Sequence, residues 1–369
     1  MKIKDFATVV SGATPKTNVD DNWGDEYLWI TPAEIDGKVK YIDDTERKLS
    51  EKGVKSASLN LLPKGTVLLS SRAPIGKVAI ANVDMYCNQG FKNLICNIKL
   101  AEPEYIYYWL STNTEYLNSL GRGATFKEIS KSIVEEIDIP LQSIENQKKI
   151  VQTLDLAQSL IDKRKKQIEA CDELIKSRFV EMFGDPITNS KKLPLITLGE
   201  ACNMKAGKGI KACDIDDEFE EGLYPCYGGN GLRGYVKEYT HDGTIPLIGR
   251  QGALCGNVQF AKGRFYATEH AVVTQPTIDW NPCWLFIMLR EMNLNRLATG
   301  AAQPGLNVSS LVPLEVINPP LLLQNQFATF VQQVDKLKFI LQKSLHELDD
   351  NFNVLVQKAF KGELFSNKH

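Results

Sequence analysis

The triplet Asn318-Pro319-Pro320 is a short motif whose residue types suggest catalysis. In enzymes that methylate amino groups, an Asn-Pro-Pro followed by an aromatic residue holds the target amine, whereas Leu321 follows the triplet here. An enzyme of this kind also binds its methyl donor with a Gly-rich loop after an early strand. Gly207-Lys208-Gly209 does not continue as such a loop. The triplet instead predicts a strand that ends at proline just before a helix. We therefore expect Asn318 to be structural, with a DNA adenine methyltransferase that uses residues 318–320 as an alternative.

Other catalytic patterns are missing from the sequence. The eight cysteines form no Cys-x-x-Cys pair and the four histidines lie far apart, so a zinc site is not expected. There is no Gly-x-x-x-x-Gly-Lys-Ser/Thr loop, which argues against nucleotide hydrolysis. The acidic run at residues 214–221 is typical of a solvated loop. We expect no catalytic residue, no metal site and no cofactor bound by this chain.

The bulk composition is typical of a globular protein. A chain of 369 residues, 43% of them hydrophobic and 24% charged, is long enough for two or more domains. No apolar run approaches the ~18 residues that span a bilayer, and residues 1–6 lack the apolar core of a signal peptide. We therefore expect a cytoplasmic protein with reduced cysteines and no membrane partner. The net charge of −2 does not by itself indicate a nucleic-acid partner.

The sequence contains two copies of one unit. Several blocks keep the same order in both halves: residues 3–12 and 198–207, 65–72 and 243–250, 76–78 and 256–258, 121–130 and 300–309, 137–140 and 316–319, and 146–147 and 325–326. Few residues are identical, but the conserved order indicates a duplicated domain rather than a short solenoid repeat. Two such units are expected to pack about a pseudo-two-fold axis. The alignment sets Asn318 opposite Ile139 and Pro319 opposite Pro140, so one copy lacks the asparagine.

Each copy shows the same order of elements. Short β-rich runs are followed by a short helix, at residues 103–118 and 282–297, and then by a long charged helix. Each long helix has an apolar seam with steps of three and four, which is a coiled-coil signal. The predicted fold class is α+β: two pseudo-symmetric domains, each β-rich with short helices, separated by two long helices that form an antiparallel coiled coil.

Sequence blocks throughout the chain match one known family. They are residues 27–31, 69–76, 88–91, 123–126, 139–140 and 145–147 in the first half, and residues 247–252, 300–304, 319–326 and 359–364 in the second. Through these blocks the whole chain resembles the DNA-specificity subunit of type I restriction-modification enzymes. The resemblance implies four segments: target-recognition domain 1 at residues 1–145, helical spacer 1 at 146–187, target-recognition domain 2 at 188–323 and helical spacer 2 at 324–365.

The same resemblance implies a protein that recognises double-stranded DNA and is not itself an enzyme. Each target-recognition domain would read one half of a split, asymmetric site, with the helices as a ruler between them. Two methyltransferase (modification) subunits would dock on the chain, and restriction/translocase subunits would join them. S-adenosylmethionine, ATP and magnesium are expected in those partner subunits. An assembly scaffold that no longer reads DNA is a further alternative.

The predicted domains are not basic overall. Residues 1–144 hold 17 Lys and Arg against 19 Asp and Glu, and residues 198–324 hold 10 against 13. DNA binding must therefore rest on local residues and on partner subunits. Arg72 and Arg250 align with each other and are candidates to contact guanine in the major groove. Six further candidates for phosphate or base contacts lie in predicted loops: Lys77, Arg122, Lys208, Arg233, Gln251 and Gln303.

Overall fold

A computed structural model of the chain describes residues 1–37, 39–72, 74–123, 127–252, 254–300 and 304–365. The chain divides into two compact units. The first unit contains Met1–Lys163 and Ser344–His369, and the second contains Arg164–Lys343. The two long helices thus each contribute one half to each unit.

The first unit has a five-stranded and a three-stranded sheet. Its strands are β1 (Ala7–Ser11), β2 (Trp23–Ile30), β3 (Tyr41–Ile42), β4 (Arg47–Leu49), β5 (Val67–Leu69), β6 (Val78–Ala81), β7 (Tyr86–Cys87) and β8 (Lys92–Cys96). The larger sheet has the order β1-β8-β5-β6-β3 and the smaller has the order β4-β2-β7. In the smaller sheet, β2 and β7 run parallel.

Short helices accompany both sheets of the first unit. They are α1 (Ile3–Phe6), α2 (Glu51–Ser56), α3 (Pro103–Thr112), α4 (Thr114–Ser119) and α5 (Lys131–Glu135). Helix α3 begins at a proline, whose missing amide proton costs nothing in the first turn. Its buried face, which includes Tyr105, Ile106 and Trp109, packs in one core with Val67 and Leu94 of the sheet.

The second unit repeats this plan with longer strands. Its short elements are β9 (Leu195–Thr197), α7 (Leu198–Ala201), β10 (Cys202–Ala206), β11 (Tyr224–Gly228), β12 (Gly231–Val236), β13 (His241–Gly249), β14 (Val258–Ala267), β15 (Ala271–Pro276), α8 (Pro282–Glu291), α9 (Val308–Leu311) and β16 (Glu315–Ile317). Six strands form one sheet in the order β10-β15-β13-β14-β11-β12, and β16 pairs with β9. Asn281 caps α8 by accepting hydrogen bonds from the amides of Cys283 and Trp284.

The long helices are α6 (Ile144–Phe183) and α10 (Leu321–Phe360). In the first unit, Leu154 near the start of α6 and Ala359 near the end of α10 are fully buried in the same core. The N-terminal half of one helix therefore packs with the C-terminal half of the other. Each helix also packs against the short elements, so its buried face is wider than a two-residue seam.

In the second unit the halves are exchanged. The ring of Phe327, near the start of α10, lies 5.6 Å from the rings of both Phe179 and Phe183 near the end of α6. Lys338 forms an ion pair with Asp172 at 2.6 Å. The antiparallel pairing and the predicted α+β class are confirmed. None of the described helices is long and apolar enough to cross a membrane.

Candidate nucleic-acid interface

In the first unit, three chain segments meet just beyond the end of β5. Arg72 forms an antiparallel bridge with Glu128, and Glu128 forms a second bridge with Arg122. In the second bridge the amide of Arg122 donates to the oxygen of Glu128 at 3.0 Å, and the amide of Glu128 donates back at 2.9 Å. Arg122 is exposed and Arg72 is half-buried. We call Arg72, Glu128 and Arg122 the first ladder. It brings together two arginines that lie far apart in the sequence.

A buried lysine contacts the acidic member of the first ladder. Lys92, in β8, donates from Nζ to Oε1 of Glu128 at 3.2 Å and to Oγ of Ser71 at 3.4 Å. Only 9% of the Lys92 side chain is exposed, against 42% for Glu128. The amide of Ser71 donates to the oxygen of Gly90 at 2.7 Å, and its oxygen accepts from Ile129 at 2.9 Å. The lysine thus bonds to two of the three segments that form the ladder, those of Ser71 and Glu128.

Lys77 lies close to the same strand but makes an internal contact. Its main-chain oxygen accepts from the amide of Ser70 at 2.9 Å. Its Nζ donates to the oxygen of Pro32 at 3.0 Å, and the side chain is half-buried. This ammonium group therefore already has a partner within the domain.

The second unit builds a corresponding ladder from different residues. Gln251 bridges to Gly305, and Gly305 bridges to Thr299. The amides of Thr299 and Gly305 each donate to the other's oxygen at 2.9 Å. We call Gln251, Gly305 and Thr299 the second ladder, in which Gln251 is exposed. The remaining candidate in this region, Gln303, lies outside the described residues.

Arg250 in the second unit takes the position of Ser71 in the first. The main-chain oxygen of Ser71 accepts from Ile129 at 2.9 Å, and that of Arg250 accepts from Leu306 at 2.8 Å. Both residues come directly before the first member of their ladder. The hydrogen-bond pattern therefore equates Arg250 with Ser71.

It follows that Arg72 and Arg250 do not occupy matching places, and the sequence alignment is wrong there by one residue. The counterpart of Arg72 is Gln251. The later block is also displaced, since Glu128 corresponds to Gly305, two residues earlier than the ungapped alignment has it. The two copies have loops of different length, and with so few identical residues a sequence alignment cannot place the gaps. The main-chain hydrogen bonds show directly which residues are equivalent.

Arg250 is held against its own domain. Its amide donates to the oxygen of His270 at 3.0 Å, and its Nη1 donates to the oxygen of Glu269 at 3.3 Å. Its Nε is buried without a hydrogen-bond partner among the described residues, as is Oε2 of Glu269. The other carboxylate oxygen of Glu269 lies 3.4 Å from His270 Nε2. Buried polar atoms without partners are uncommon in folded proteins, so this loop is a suitable place for a polar ligand.

Lys208 and Arg233 are exposed cations of the second unit. The amide of Lys208 donates to the oxygen of Ala267 at 2.9 Å, which fixes its main chain at the end of β10. Burial lowers the pKa of His241, and the charge of Lys208 lowers it further. Arg233 lies in strand β12 rather than in a loop, because the Gly-rich stretch around it forms a hairpin. Both side chains are accessible to a phosphate.

Asn318 lies between the end of strand β16 and the start of helix α10. Its amide donates to the oxygen of Pro194 at 2.7 Å, and its Oδ1 accepts a hydrogen bond from Nε1 of Trp280 at 2.9 Å. The two-residue shift also applies here, so the counterpart of Asn318 is Leu141 rather than Ile139, and Pro319 no longer aligns with Pro140. The amide oxygen that would hold a target amine is bonded to an indole instead.

Sequence reasoning missed Lys92, Glu128 and Glu269. A signal for Lys92 is present in the sequence, because the other four residues of strand β8 (Lys92–Cys96) are uncharged. Lysine is rarely buried unless it is paired. Its partner Glu128 is far away in the sequence, and only the fold shows that the two meet.

Comparison with known proteins agrees with this architecture. A family model described as the type I restriction modification DNA specificity domain matches residues 1–170 and 192–349. The specificity subunit of the type I restriction enzyme EcoprrI from Escherichia coli is 33% identical over 346 residues, which cover 89% of this chain and 85% of the relative. The specificity subunit of the MjaIX enzyme from Methanocaldococcus jannaschii is 30% identical over 404 residues, with 98% and 92% covered.

Two solved structures share the fold. The S subunit of a type I restriction-modification system from M. genitalium superposes with a TM-score of 0.59 at 19% identity, covering 98% of this chain and 95% of that one. A chain from a structure on complex assembly and conformational transition of the type I R-M system gives 0.66 at 19% identity, covering 99% and 97%. The family model and the two curated relatives show that the chain belongs to the DNA-specificity subunits of type I restriction-modification systems.

Proposed function

We propose that the chain reads a split, asymmetric site in double-stranded DNA, one half with each β-rich domain. The observation that carries this proposal is that the two ladders have the same main-chain hydrogen bonds but different side chains. A shared main-chain frame would present side chains to DNA in the same way in each domain. The different side chains would then select different bases.

In the first domain, Arg72 and Arg122 are the proposed DNA contacts. Arginine binds guanine through O6 and N7, and it also binds phosphate in a bidentate manner. Lys77 is a weaker candidate because its ammonium group already donates to a main-chain oxygen of the domain.

In the second domain, Gln251 is the proposed base contact of the ladder, since glutamine pairs with adenine through N6 and N7. Arg250 and Gln303 remain further proposed contacts of this domain. Lys208 and Arg233 are exposed and are proposed phosphate contacts. Both domains hold more acidic than basic residues, so their overall charge does not attract DNA. These few cations would supply the local attraction to phosphate.

We further propose that the chain performs no catalysis and works as part of a larger complex in the cytoplasm. Two methyltransferase subunits would supply S-adenosylmethionine-dependent methylation, and restriction subunits would supply ATP- and magnesium-dependent cleavage. One of the similar structures concerns complex assembly of a type I R-M system, which supports docking of such partners. The bonding of Asn318 to Trp280 argues against an intrinsic methyltransferase.

The test is methylome sequencing of cells that express the chain with its methyltransferase partner. Replacement of residues 198–318 by the corresponding domain of a relative should change one half-site and leave the other intact. A complex that methylates without any sequence preference would instead favour a scaffold role. A swap that alters both half-sites would contradict independent reading by the two domains.

A further inference from the structure

We propose that Lys92 and Glu128 are positioning residues, which hold Arg72 and Arg122 in the geometry that reads the first half-site. This inference rests on the proposed function and extends it to residues that do not touch DNA themselves. Lys92, which is buried in the first domain, forms an ion pair with Glu128 next to the half-buried Arg72 and the exposed Arg122.

The ion pair fixes the position of the Glu128 side chain. With 9% of its side chain exposed, Lys92 has given up most of its water, and it finds Glu128 at 3.2 Å and Ser71 at 3.4 Å instead. A buried ammonium group is stable only when such partners replace its hydration. Movement of Glu128 away from this position would leave the charge of Lys92 uncompensated.

Because Glu128 is paired with both arginines through the main chain, a restraint on the position of Glu128 also restrains Arg72 and Arg122. Glu128 is the middle member of the first ladder, paired with Arg72 on one side and with Arg122 on the other. Ser71, the other partner of Lys92, directly precedes Arg72. Lys92 therefore bonds directly to the segment that carries Arg72, and it restrains the segment of Arg122 through the main-chain pairing of Glu128.

The pair also sets the local charge. An unpaired carboxylate between two arginines would attract their guanidinium groups and repel DNA phosphates. Among the described residues, the ion pair of Glu128 is with Lys92, and neither Arg72 nor Arg122 takes part in an ion pair. The arginines thus remain available to an anionic ligand.

The second domain has no equivalent pair. Strand pairing sets Lys92 opposite Ser11 in the first unit and Val272 opposite Ala206 in the second, which makes Val272 the counterpart of Lys92. Gly305 is the counterpart of Glu128 and has no side chain. Loss of the pair should therefore affect one half-site only.

The experiment uses the full chain assembled with its methyltransferase subunits, with duplexes built from the site that the methylome reveals. Lys92→Met keeps the length of the side chain and removes the charge, and Glu128→Gln keeps the shape of its partner. Binding is measured to the cognate duplex and to duplexes altered in one half-site at a time. The half-site of the first domain is the one that Arg72→Ala affects.

We expect each variant to reduce discrimination at the first half-site by roughly tenfold or more, the usual effect of losing a hydrogen bond to a charged group. Discrimination at the second half-site should be unchanged. The matched control is Lys40→Met, which removes a largely buried lysine that pairs with Asp155 at 2.6 Å, away from the ladder. It should lower thermal stability without changing discrimination.

The outcomes separate this inference from the proposed function. Selective wild-type binding with unchanged discrimination in Glu128→Gln and Lys92→Met would overturn the positioning role alone. Equal losses in Lys40→Met would also overturn it, because they would indicate a general effect of stability. A wild-type complex without any sequence selectivity would overturn the proposed function and this inference together. Should Lys92→Met fail to fold, Glu128→Gln decides the question.

Discussion

The two ladders have the same main-chain hydrogen bonds but different side-chain chemistry. In the first unit an ion pair between the buried Lys92 and the partly exposed Glu128 lies beside the ladder arginines. In the second unit Val272 fills the position of the lysine and is fully buried, and Gly305 replaces the glutamate. The second unit thus forms the same main-chain hydrogen bonds with residues that carry no charge at these two positions. The side chains on that frame are free to differ, which is what two readers of unlike half-sites require.

Both units also share a close main-chain contact at a glycine. A Cβ atom added to Gly12 would lie 2.1 Å from the oxygen of Cys87, and one added to Gly207 would lie 2.1 Å from the oxygen of Ala267. The amide after each glycine donates to that same oxygen, at 3.1 Å and 2.9 Å. These glycines are equivalent because the fold needs the same close approach in each unit.

The largest expected effect is on stability. It tests whether the part of the helix pair in each unit contributes equally to the stability of that unit. Leu154→Asp in the first unit and Phe179→Asp in the second each bury a carboxylate at a fully buried position. Each should cost about 3–5 kcal/mol, because no partner compensates the charge. Hydrogen exchange followed by mass spectrometry should show the loss of protection mainly in the unit that carries the change.

The matched control for this comparison is Leu156→Asp on the same helix. Leu156 is 65% exposed, so its replacement should change the free energy of unfolding by no more than about 0.5 kcal/mol. Leu345→Asp should have an intermediate effect, since Leu345 is half-buried. Unchanged exchange in both Leu154→Asp and Phe179→Asp would contradict a packed helix pair.

A second effect tests whether the equivalence of the two frames is energetic as well as geometric. Gly12→Ala and Gly207→Ala should each destabilise the protein by about 1–3 kcal/mol, because main-chain atoms must move to admit the methyl group. Urea unfolding measures both. Gly209→Ala is the control, since its Cβ would meet its nearest neighbour at an ordinary 3.8 Å. A loss confined to one of the two variants would break the proposed equivalence.

The smallest expected effect concerns a residue that only one unit has. Asn318→Ala removes the acceptor of the Trp280 indole, which should cost about 1–2 kcal/mol. Methylation by the assembled complex should keep its wild-type rate. The thermal midpoint reports the first quantity, and incorporation of labelled methyl groups reports the second. A large loss of methylation with normal assembly and DNA affinity would return Asn318 to a catalytic role.

The sequence alone determined the duplication, the order of the elements and the presence of two long amphipathic helices. These features follow from local composition and periodicity, which a sequence displays directly. The short helices predicted at residues 103–118 and 282–297 fall where α3, α4 and α8 lie. The end of a strand before Pro319 and the start of a helix after it were also predicted correctly, although the residue opposite Asn318 was not.

The tertiary structure decided the register between the two copies and the contacts of the candidate site. Arg72 corresponds to Gln251, and Arg250 to Ser71, because main-chain hydrogen bonds rather than residue identities define equivalent places. The pairing of Lys92 with Glu128 joins residues that are distant in the chain. Such contacts depend on how strands and loops come together in space, and burial of Lys92 strengthens its attraction to Glu128 only where the fold has placed the two side by side.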